Sequence, residues 1–261
     1  MKYIMLTGHR KSGTTLLHKL FDGHPNLNVY PVDLGLLYAF YPCFARSSSS
    51  LEEKKDRFTH VLRVSTERFS GAKLSHCVSS FEPQKFIAFF WERNDIRDLL
   101  EPSVIVKSLG ESYCEYANLD ISRPFLFKET SQTVNLHALV NDGLNVKCVQ
   151  IIRDPRDNYA AIKAGVTNYY SKMGENEDEA LASVLNRARL DLELATTWCN
   201  DPDARFYALR YEDLVFDPSK HMSRLLRRLE VDWSDSVLIP TFLGKSFSGN
   251  SHDGVLFSGV S

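Results

Sequence analysis

Residues 5–25 run MLTGHRKSGTTLLHKLFDGHP and place Gly8 and Gly13 between an apolar segment and an amphipathic one. The apolar run 2–7 predicts a buried strand, and apolar residues recur at helical spacing from Thr14 onward. A strand, a glycine loop and a helix in this order can bind phosphate on the loop's backbone N–H groups and on the helix N-terminus. We therefore predict an anion-binding loop in this segment.

The loop lacks the lysine of nucleotide-cleaving phosphate loops. Gly8 and Gly13 have the spacing of G-x-x-x-x-G-K-[ST], but Thr14 and Thr15 occupy the last two positions. In those loops the lysine contacts the β- and γ-phosphates and the following hydroxyl binds magnesium. Here Lys11 lies inside the loop instead, which favours a ligand with a single 5′-phosphate whose bridging oxygen Lys11 neutralises. A purely structural glycine turn is the alternative. Hydroxyl donors are available from Ser12, Thr14 and Thr15.

A second anion signal is IIRDPRDNY, residues 151–159. Arg153 closes a predicted strand, and Pro155 opens the next helix. An arginine at the carboxyl end of a strand points into the crevice where open α/β sheets bind ligands, and it can hold a phosphate with two hydrogen bonds. The alternative is a surface network with Asp154 and Asp157. Together with the glycine loop, the motif predicts a ligand that carries two separated phosphates.

Strands alternate with helices along the chain, which predicts βαβ units. Pro31 is expected to end the second strand and Asp33 to open a helix. The fold class that follows is α/β, with a P-loop-type, mostly parallel sheet flanked by helices, in a single domain over residues 1–261. Roughly residues 46–120 are predicted to form a helical insertion that covers the substrate, and the aromatics of FIAFFWERND are predicted to be core. Further strands are predicted at 26–33, 124–130, 145–154 and 204–214.

Composition excludes several classes of protein. The chain has 261 residues, 43% of them hydrophobic, and a formal net charge of −2, which is typical of a soluble globular protein and gives no reason to expect nucleic-acid or membrane binding. No apolar run is long enough to span a bilayer. The five cysteines are scattered singly, which argues against a disulfide framework or a zinc site. We expect buried thiols in a reducing compartment and a cytoplasmic location.

The two anion motifs resemble those of the sulfotransferase family, whose donor is 3′-phosphoadenosine-5′-phosphosulfate (PAPS). GHRKSGTTLL with the later HP resembles the family's 5′-phosphosulfate loop, and IIRDPRDNYAAI is similar to its 3′-phosphate motif. LRYEDL resembles a strand-end element, and SFSGNS a C-terminal loop of carbohydrate-type members. The resemblance implies transfer of a sulfuryl group to a hydroxyl of a carbohydrate or other polar small molecule. It also implies release of 3′-phosphoadenosine-5′-phosphate (PAP), with no metal.

The resemblance also implies which residues bind the donor. Lys11 would contact the bridging oxygen and Arg153 the 3′-phosphate. Many members have a serine eight residues after that arginine, whereas this chain has Ala161, so one hydrogen bond to the 3′-phosphate is missing or replaced. The implied donor-binding residues are Arg10, Lys11, Ser12, Gly13, Thr14, Thr15, Arg153, Tyr211, Asn250 and Ser251.

The catalytic residues implied by the resemblance are Lys11, Lys128 and Asp33. Lys128, in FKET, would lie over the sulfate, and its alternative is a surface lysine. Asp33 would be the general base, although capping a helix would equally explain it. His252 is a second candidate base, because histidine titrates near neutral pH. His24 precedes a proline in a turn and is expected to be structural.

Two other functions fit parts of the pattern. One is a small-molecule kinase with a degenerate phosphate loop, which would need ATP and magnesium. The other is a non-catalytic nucleotide-binding protein, which Ala161 and the undecided base favour. The sequence gives no oligomeric state.

Overall fold

The computed structural model describes residues 1–35, 49–67, 81–135, 139–140, 143–163, 177–199 and 205–247. The strands are β1 (Tyr3–Gly8), β2 (Asn28–Asp33), β3 (Phe125–Thr130), β4 (Val146–Ile152), β5 (Phe206–Arg210), β6 (Thr241–Phe242) and β7 (Lys245–Ser246). The helices are α1 (Thr14–Phe21), α2 (Leu51–Glu67), α3 (Pro83–Arg93), α4 (Pro102–Tyr116), α5 (Pro155–Lys163), α6 (Glu177–Cys199), α7 (Tyr211–Phe216) and α8 (Pro218–Leu229). Short 3₁₀ turns cover Thr133–Asn135 and Asp235–Leu238.

Five strands form one sheet in the order β2-β3-β1-β4-β5, and β6 and β7 form a separate antiparallel pair. β2 pairs with β3 and β4 pairs with β5 in parallel. Helices connect the parallel strands, as parallel pairing requires. The predicted α/β fold with a mostly parallel sheet is confirmed.

The described chain divides into two compact units, and the prediction of a single domain stays a prediction. The first unit comprises residues 1–5, 25–129 and 135–146. The second comprises residues 6–24, 130–134 and 147–261.

The first unit has an aromatic core. Tyr30 is fully buried and packs edge-on against Tyr113 with ring centroids 5.0 Å apart. The predicted insertion contains α2, α3 and α4, with α3 packed against the other two. Phe86 and Phe90 of α3 are buried, so the core assignment of FIAFFWERND is confirmed for them. Whether the insertion covers a substrate stays a prediction.

The second unit surrounds the glycine loop. α6 packs against β5 and against α5, and α1 packs against β6. Asp22, which ends α1, accepts hydrogen bonds from the Thr241 hydroxyl at 2.7 Å and from the Gly244 N–H at 2.8 Å. The ammonium of Lys19 lies 4.0 Å from the ring centre of Phe242. The short β6–β7 pair is therefore fixed to the C-terminal end of α1.

Two expectations about the second strand are wrong. Pro31 lies inside β2 and does not end it, because β2 is the edge strand of the sheet, where a residue without an N–H is tolerated. Asp33 does not cap a helix: Leu34 and Gly35 are not helical, Gly35 has φ of +69°, and the Leu34 N–H donates to the Lys128 carbonyl.

Two cysteines match their expectation. Cys114 and Cys148 are buried and free, and burial raises the pKa of their thiols to about 11 and about 12. Cys43 and Cys77 lie outside the described residues. In the part of the chain that the structure describes, no helix combines the length and apolar character needed to cross a membrane.

Candidate active site

The glycine loop has a backbone that only glycine accommodates at two positions. Gly8 and Gly13 have φ of +149° and +101°. A Cβ on Gly8 would lie 2.3 Å from the Ile151 carbonyl oxygen, and one on Gly13 would lie 2.3 Å from the Tyr211 ring. Between them Lys11 adopts φ of +67°, which side-chain-bearing residues rarely do. The loop conformation is thus fixed by close approach of β4 and α7.

Ser12 closes the loop on itself. Its backbone N–H and its hydroxyl both donate to the His9 carbonyl, at 3.0 and 2.6 Å, and the residue is buried. Gly13 then caps α1 without a side-chain hydrogen bond. The Ser12 proton is used inside the loop, so the predicted contact of this hydroxyl with phosphate stays a prediction and requires that bond to be exchanged.

Asn158 of α5 holds the loop from the side. Its amide donates to the Arg10 carbonyl at 2.8 Å, and its carbonyl oxygen lies 3.0 Å from Nδ1 of His9. With the amide oriented in this way, His9 Nδ1 must carry the proton. Burial lowers the pKa of His9 to about 4, with smaller contributions from Arg187 and Arg10, so the ring is neutral at physiological pH.

Arg153 is beside the loop, and in the described part of the chain it forms no ion pair with Asp154 or Asp157. Its Nη1 donates to the Lys11 carbonyl at 3.1 Å, and its guanidinium lies 4.5 Å from the centre of the Tyr211 ring. The arginine–aspartate network is made by Arg156, which pairs with Asp154 and holds the pKa of that carboxyl well below its usual range. The surface-network alternative is therefore wrong for Arg153 and right for Arg156.

Tyr211 joins the two anion motifs. Its ring covers Gly13 on one side and Arg153 on another. Glu212, the next residue, accepts a hydrogen bond from the Asp154 N–H at 2.8 Å. The start of α7 therefore sets the position of the end of β4.

The other two predicted catalytic residues form an ion pair in the first unit. Lys128 Nζ lies 3.3 Å from Oδ2 of Asp33, and their side chains are 8% and 19% exposed. The two residues are register partners on β3 and β2. The alternative of a surface lysine is wrong, because Lys128 is buried.

The family model described as "Sulfotransferase family" matches residues 4–235. The chain belongs to the sulfotransferase family. The prediction of the family and of a sulfuryl-transferring enzyme is confirmed. No curated protein matches the sequence significantly.

Two solved structures illustrate the fold of this sulfotransferase. The sulfotransferase domain from the curacin biosynthetic pathway is 21% identical with a TM-score of 0.62, over 99% of this chain and 83% of that one. The sulfotransferase domain from the Synechococcus PCC 7002 olefin synthase is 20% identical with a TM-score of 0.54, over 93% of this chain and 79% of that one. At these identities the likeness shows the fold alone.

Some of the predicted site residues are in contact with one another, and others lie outside the residues that the structure describes. The loop, Arg153 and Tyr211 of this sulfotransferase form one contact network. Asn250, Ser251 and His252 lie outside the described residues. Nε2 of His24 lies 3.0 Å from the Asp232 carbonyl oxygen, which agrees with a structural role. Within the described ranges, no three potential ligand side chains are grouped as a metal ion would require.

Sequence analysis missed Asn158 and Asp191. Asn158 carried a signal, since it lies one helical turn beyond Asp154 in the motif quoted for Arg153. Asp191 carried none, because it lies mid-helix in α6 among charged residues and only the packing reveals its burial.

Proposed function

We propose that this sulfotransferase uses PAPS as its donor and sulfates a hydroxyl of a carbohydrate or another polar small molecule. The observation that carries the proposal is the hydrogen bond of 3.1 Å from Arg153 to the Lys11 carbonyl. It joins the two anion-binding motifs, as a donor with both a 5′- and a 3′-phosphate would need.

The residues fit such a donor. Gly13 presents the N-terminus of α1 without a side chain, which leaves backbone N–H groups for the 5′-phosphate. Arg153 has five N–H donors, of which one is used by Lys11, so it can also bind the 3′-phosphate. Tyr211 supports both elements from behind.

Sulfuryl transfer needs positioning and neutralisation of charge more than covalent chemistry. The acceptor oxygen forms a bond to sulfur while the bond from sulfur to the bridging oxygen breaks, and PAP leaves. We assign Lys11 to the bridging oxygen, where it balances the charge that develops on the leaving phosphate. The acceptor's proton passes to a base.

Asp33 is our candidate for that base, with Lys128 as its partner. The ion pair of 3.3 Å fixes the orientation of the Asp33 side chain.

A ligand comparison tests the donor. PAP at about 100 times its Kd should raise the free energy of unfolding by about 2.7 kcal/mol, whereas AMP and Mg-ATP at the same concentration should raise it much less. Stabilisation by Mg-ATP alone would indicate a kinase, and no stabilisation by any of the three would indicate a protein without nucleotide transfer chemistry.

Two arginines three residues apart provide a matched control. Arg153→Ala should weaken PAP binding at least tenfold, because it removes hydrogen bonds to a charged phosphate. Arg156→Ala, which removes an exposed arginine paired with Asp154, should leave PAP binding unchanged. Equal effects of the two substitutions would remove Arg153 from the donor site. The acceptor class is then tested by PAP release from PAPS with carbohydrate, aliphatic and phenolic hydroxyls in parallel.

A further inference from the structure

A small cavity lies behind the phosphate loop in the second unit. Its volume is about 20 Å³, and its polar lining consists of His9, Ser12, Arg153, Asn158 and Asp191. Three of these five already hold the loop in shape through the bonds described above. Arg153 and Asp191 are the charged members.

Two residues that line this cavity each carry a buried polar atom without a hydrogen-bond partner. One is Nε of Arg153, a donor, and the other is Oδ1 of Asp191, an acceptor. Asp191 as a whole is 4% exposed. An unsatisfied buried polar atom destabilises the fold, so a donor and an acceptor on two residues that line one cavity favour a common partner.

We propose that Asp191 is a positioning residue for Arg153, and that its carboxylate holds the Arg153 Nε–H through a water molecule in this cavity. A cavity needs roughly 10–15 Å³ and two to four polar partners to hold one water. The volume here meets the first requirement and the lining meets the second.

The residues around Asp191 determine its position and its ionisation state. Gln150 donates to the backbone carbonyl of Asp191 at 3.1 Å, which fixes this part of α6 against β4. Burial raises the pKa of Asp191 to about 6, an effect opposed by the cation of Arg187. Asp191 is therefore mostly ionised at pH 7.5. The charged and titratable groups near it are Arg187 of α6 and, in the lining of the same cavity, Arg153 after β4 and the neutral His9 of the loop.

This interaction would hold Arg153 at three points. Nη1 is held by the Lys11 carbonyl, the face of the guanidinium by Tyr211, and Nε by Asp191 through water. An arginine held in this way loses little side-chain freedom when it binds an anion, which improves affinity. The inference rests on the proposed function at one step, namely that the anion is the donor's 3′-phosphate.

The test compares two substitutions at one position that keep the number of side-chain heavy atoms. Asp191→Leu removes the acceptor, and Asp191→Asn keeps one. We expect PAP affinity, measured by calorimetry at pH 7.5, to fall about tenfold in the leucine variant and to return to within about threefold of wild type in the asparagine variant. Glu193→Leu, a matched loss of a carboxylate that pairs with Arg189 on the exposed side of α6, should change nothing.

A role in packing alone would give a different result, because leucine would then bind PAP as well as the wild type. That outcome overturns the proposal, as does equal loss in the leucine and asparagine variants. Circular dichroism and unfolding of each variant establish that it is folded before PAP is added.

A second measurement separates this proposal from the proposed function. A double-mutant cycle with Asp191→Leu and Arg153→Met, made on the unliganded protein by denaturant unfolding, should show effects on the unfolding equilibrium constant that depart from additivity by about tenfold. If the wild type does not bind PAP, the proposed function fails and the cycle alone decides the link between Asp191 and Arg153. If the two effects are additive, the link is overturned whatever PAP does.

Discussion

The glycine loop with Arg153 and the ion pair of Asp33 with Lys128 are built in different ways. The loop is defined by its backbone: glycines at close approaches, a carbonyl held by Ser12 and another held by Arg153. The ion pair depends on two side chains brought into register by neighbouring strands. We therefore expect the loop to lose its geometry when a glycine is replaced. The ion pair should keep its geometry when one member is replaced by a residue of similar shape that can still form a hydrogen bond. The predictions below test this difference, from the largest expected effect to the smallest.

Gly13→Ala should abolish turnover, with PAP affinity reduced more than about 100-fold. The new Cβ would lie 2.3 Å from the Tyr211 ring, at a φ of +101° that alanine rarely adopts, so the loop must move away from Arg153. Gly143→Ala is the control, because Gly143 also has a positive φ, +78°, but a methyl group there would meet nothing within 4 Å. PAP binding by the Gly13 variant at wild-type strength would show that the loop does not bind the donor.

Asp33→Asn should lower kcat about 100-fold while PAP affinity stays within about twofold, because a general base contributes to the chemical step. The asparagine keeps an acceptor for Lys128 and so preserves the pairing geometry. Steady-state kinetics with the best acceptor and calorimetry with PAP provide the two measurements. An unchanged kcat would exclude Asp33 as the base and direct attention to His252.

Lys128→Met should lower the free energy of unfolding by about 1–3 kcal/mol, since it removes the ion-pair contact of a largely buried Asp33 carboxylate. The double variant with Asp33→Asn should recover part of that stability, because the charge of Asp33 is then removed as well, yet its turnover should stay as low as that of the Asp33→Asn single variant. Denaturant unfolding measures the first effect and turnover the second. Additive losses of stability would mean that the pair makes no net contribution.

Asp191→Asn should change the pH dependence of stability. Between pH 4.5 and 5.5, folded Asp191 holds a proton that the unfolded chain releases, so its contribution to stability falls as pH rises. His9, with its pKa lowered to about 4, contributes in the opposite direction, because only the unfolded chain protonates it there. Relative to wild type, the variant's free energy of unfolding should rise by about 1 kcal/mol per pH unit across this window, because the folded and unfolded states differ there by slightly less than one proton. Parallel curves would show that Asp191 titrates normally.

The sequence was sufficient for the loop and for the α/β fold because both depend on local chemistry. Gly8, Gly13 and the helix from Thr14 were predictable from spacing, and the structure gives each of them the expected place. The assignment of Pro31 to the end of a strand failed because an edge position, which permits proline, depends on sheet order. That order is a property of distant segments.

The link between Asp33 and Lys128 was not predictable for the same reason. The two residues were proposed separately, 95 positions apart, and only the parallel register of β2 and β3 makes them partners. The burial of Asp191 could not be predicted from the sequence, since it follows from the packing of α6 on β5 and α5. Local motifs thus predicted the glycine loop, while long-range packing determined which side chains contact it.

The attachment of β6–β7 to Asp22 has a consequence for the opposite end of α1. The helix is eight residues long, about 12 Å, and is short enough to move as a rigid body. The proposed phosphate site lies at its N-terminus and the contact with β6–β7 at its C-terminus. Loss of the Thr241–Asp22 hydrogen bond would let α1 change its orientation. The proposed phosphate site at the N-terminus of α1 would then lose its geometry although none of its residues had changed. A substitution at Thr241 that weakens donor binding would therefore act indirectly, through the orientation of α1.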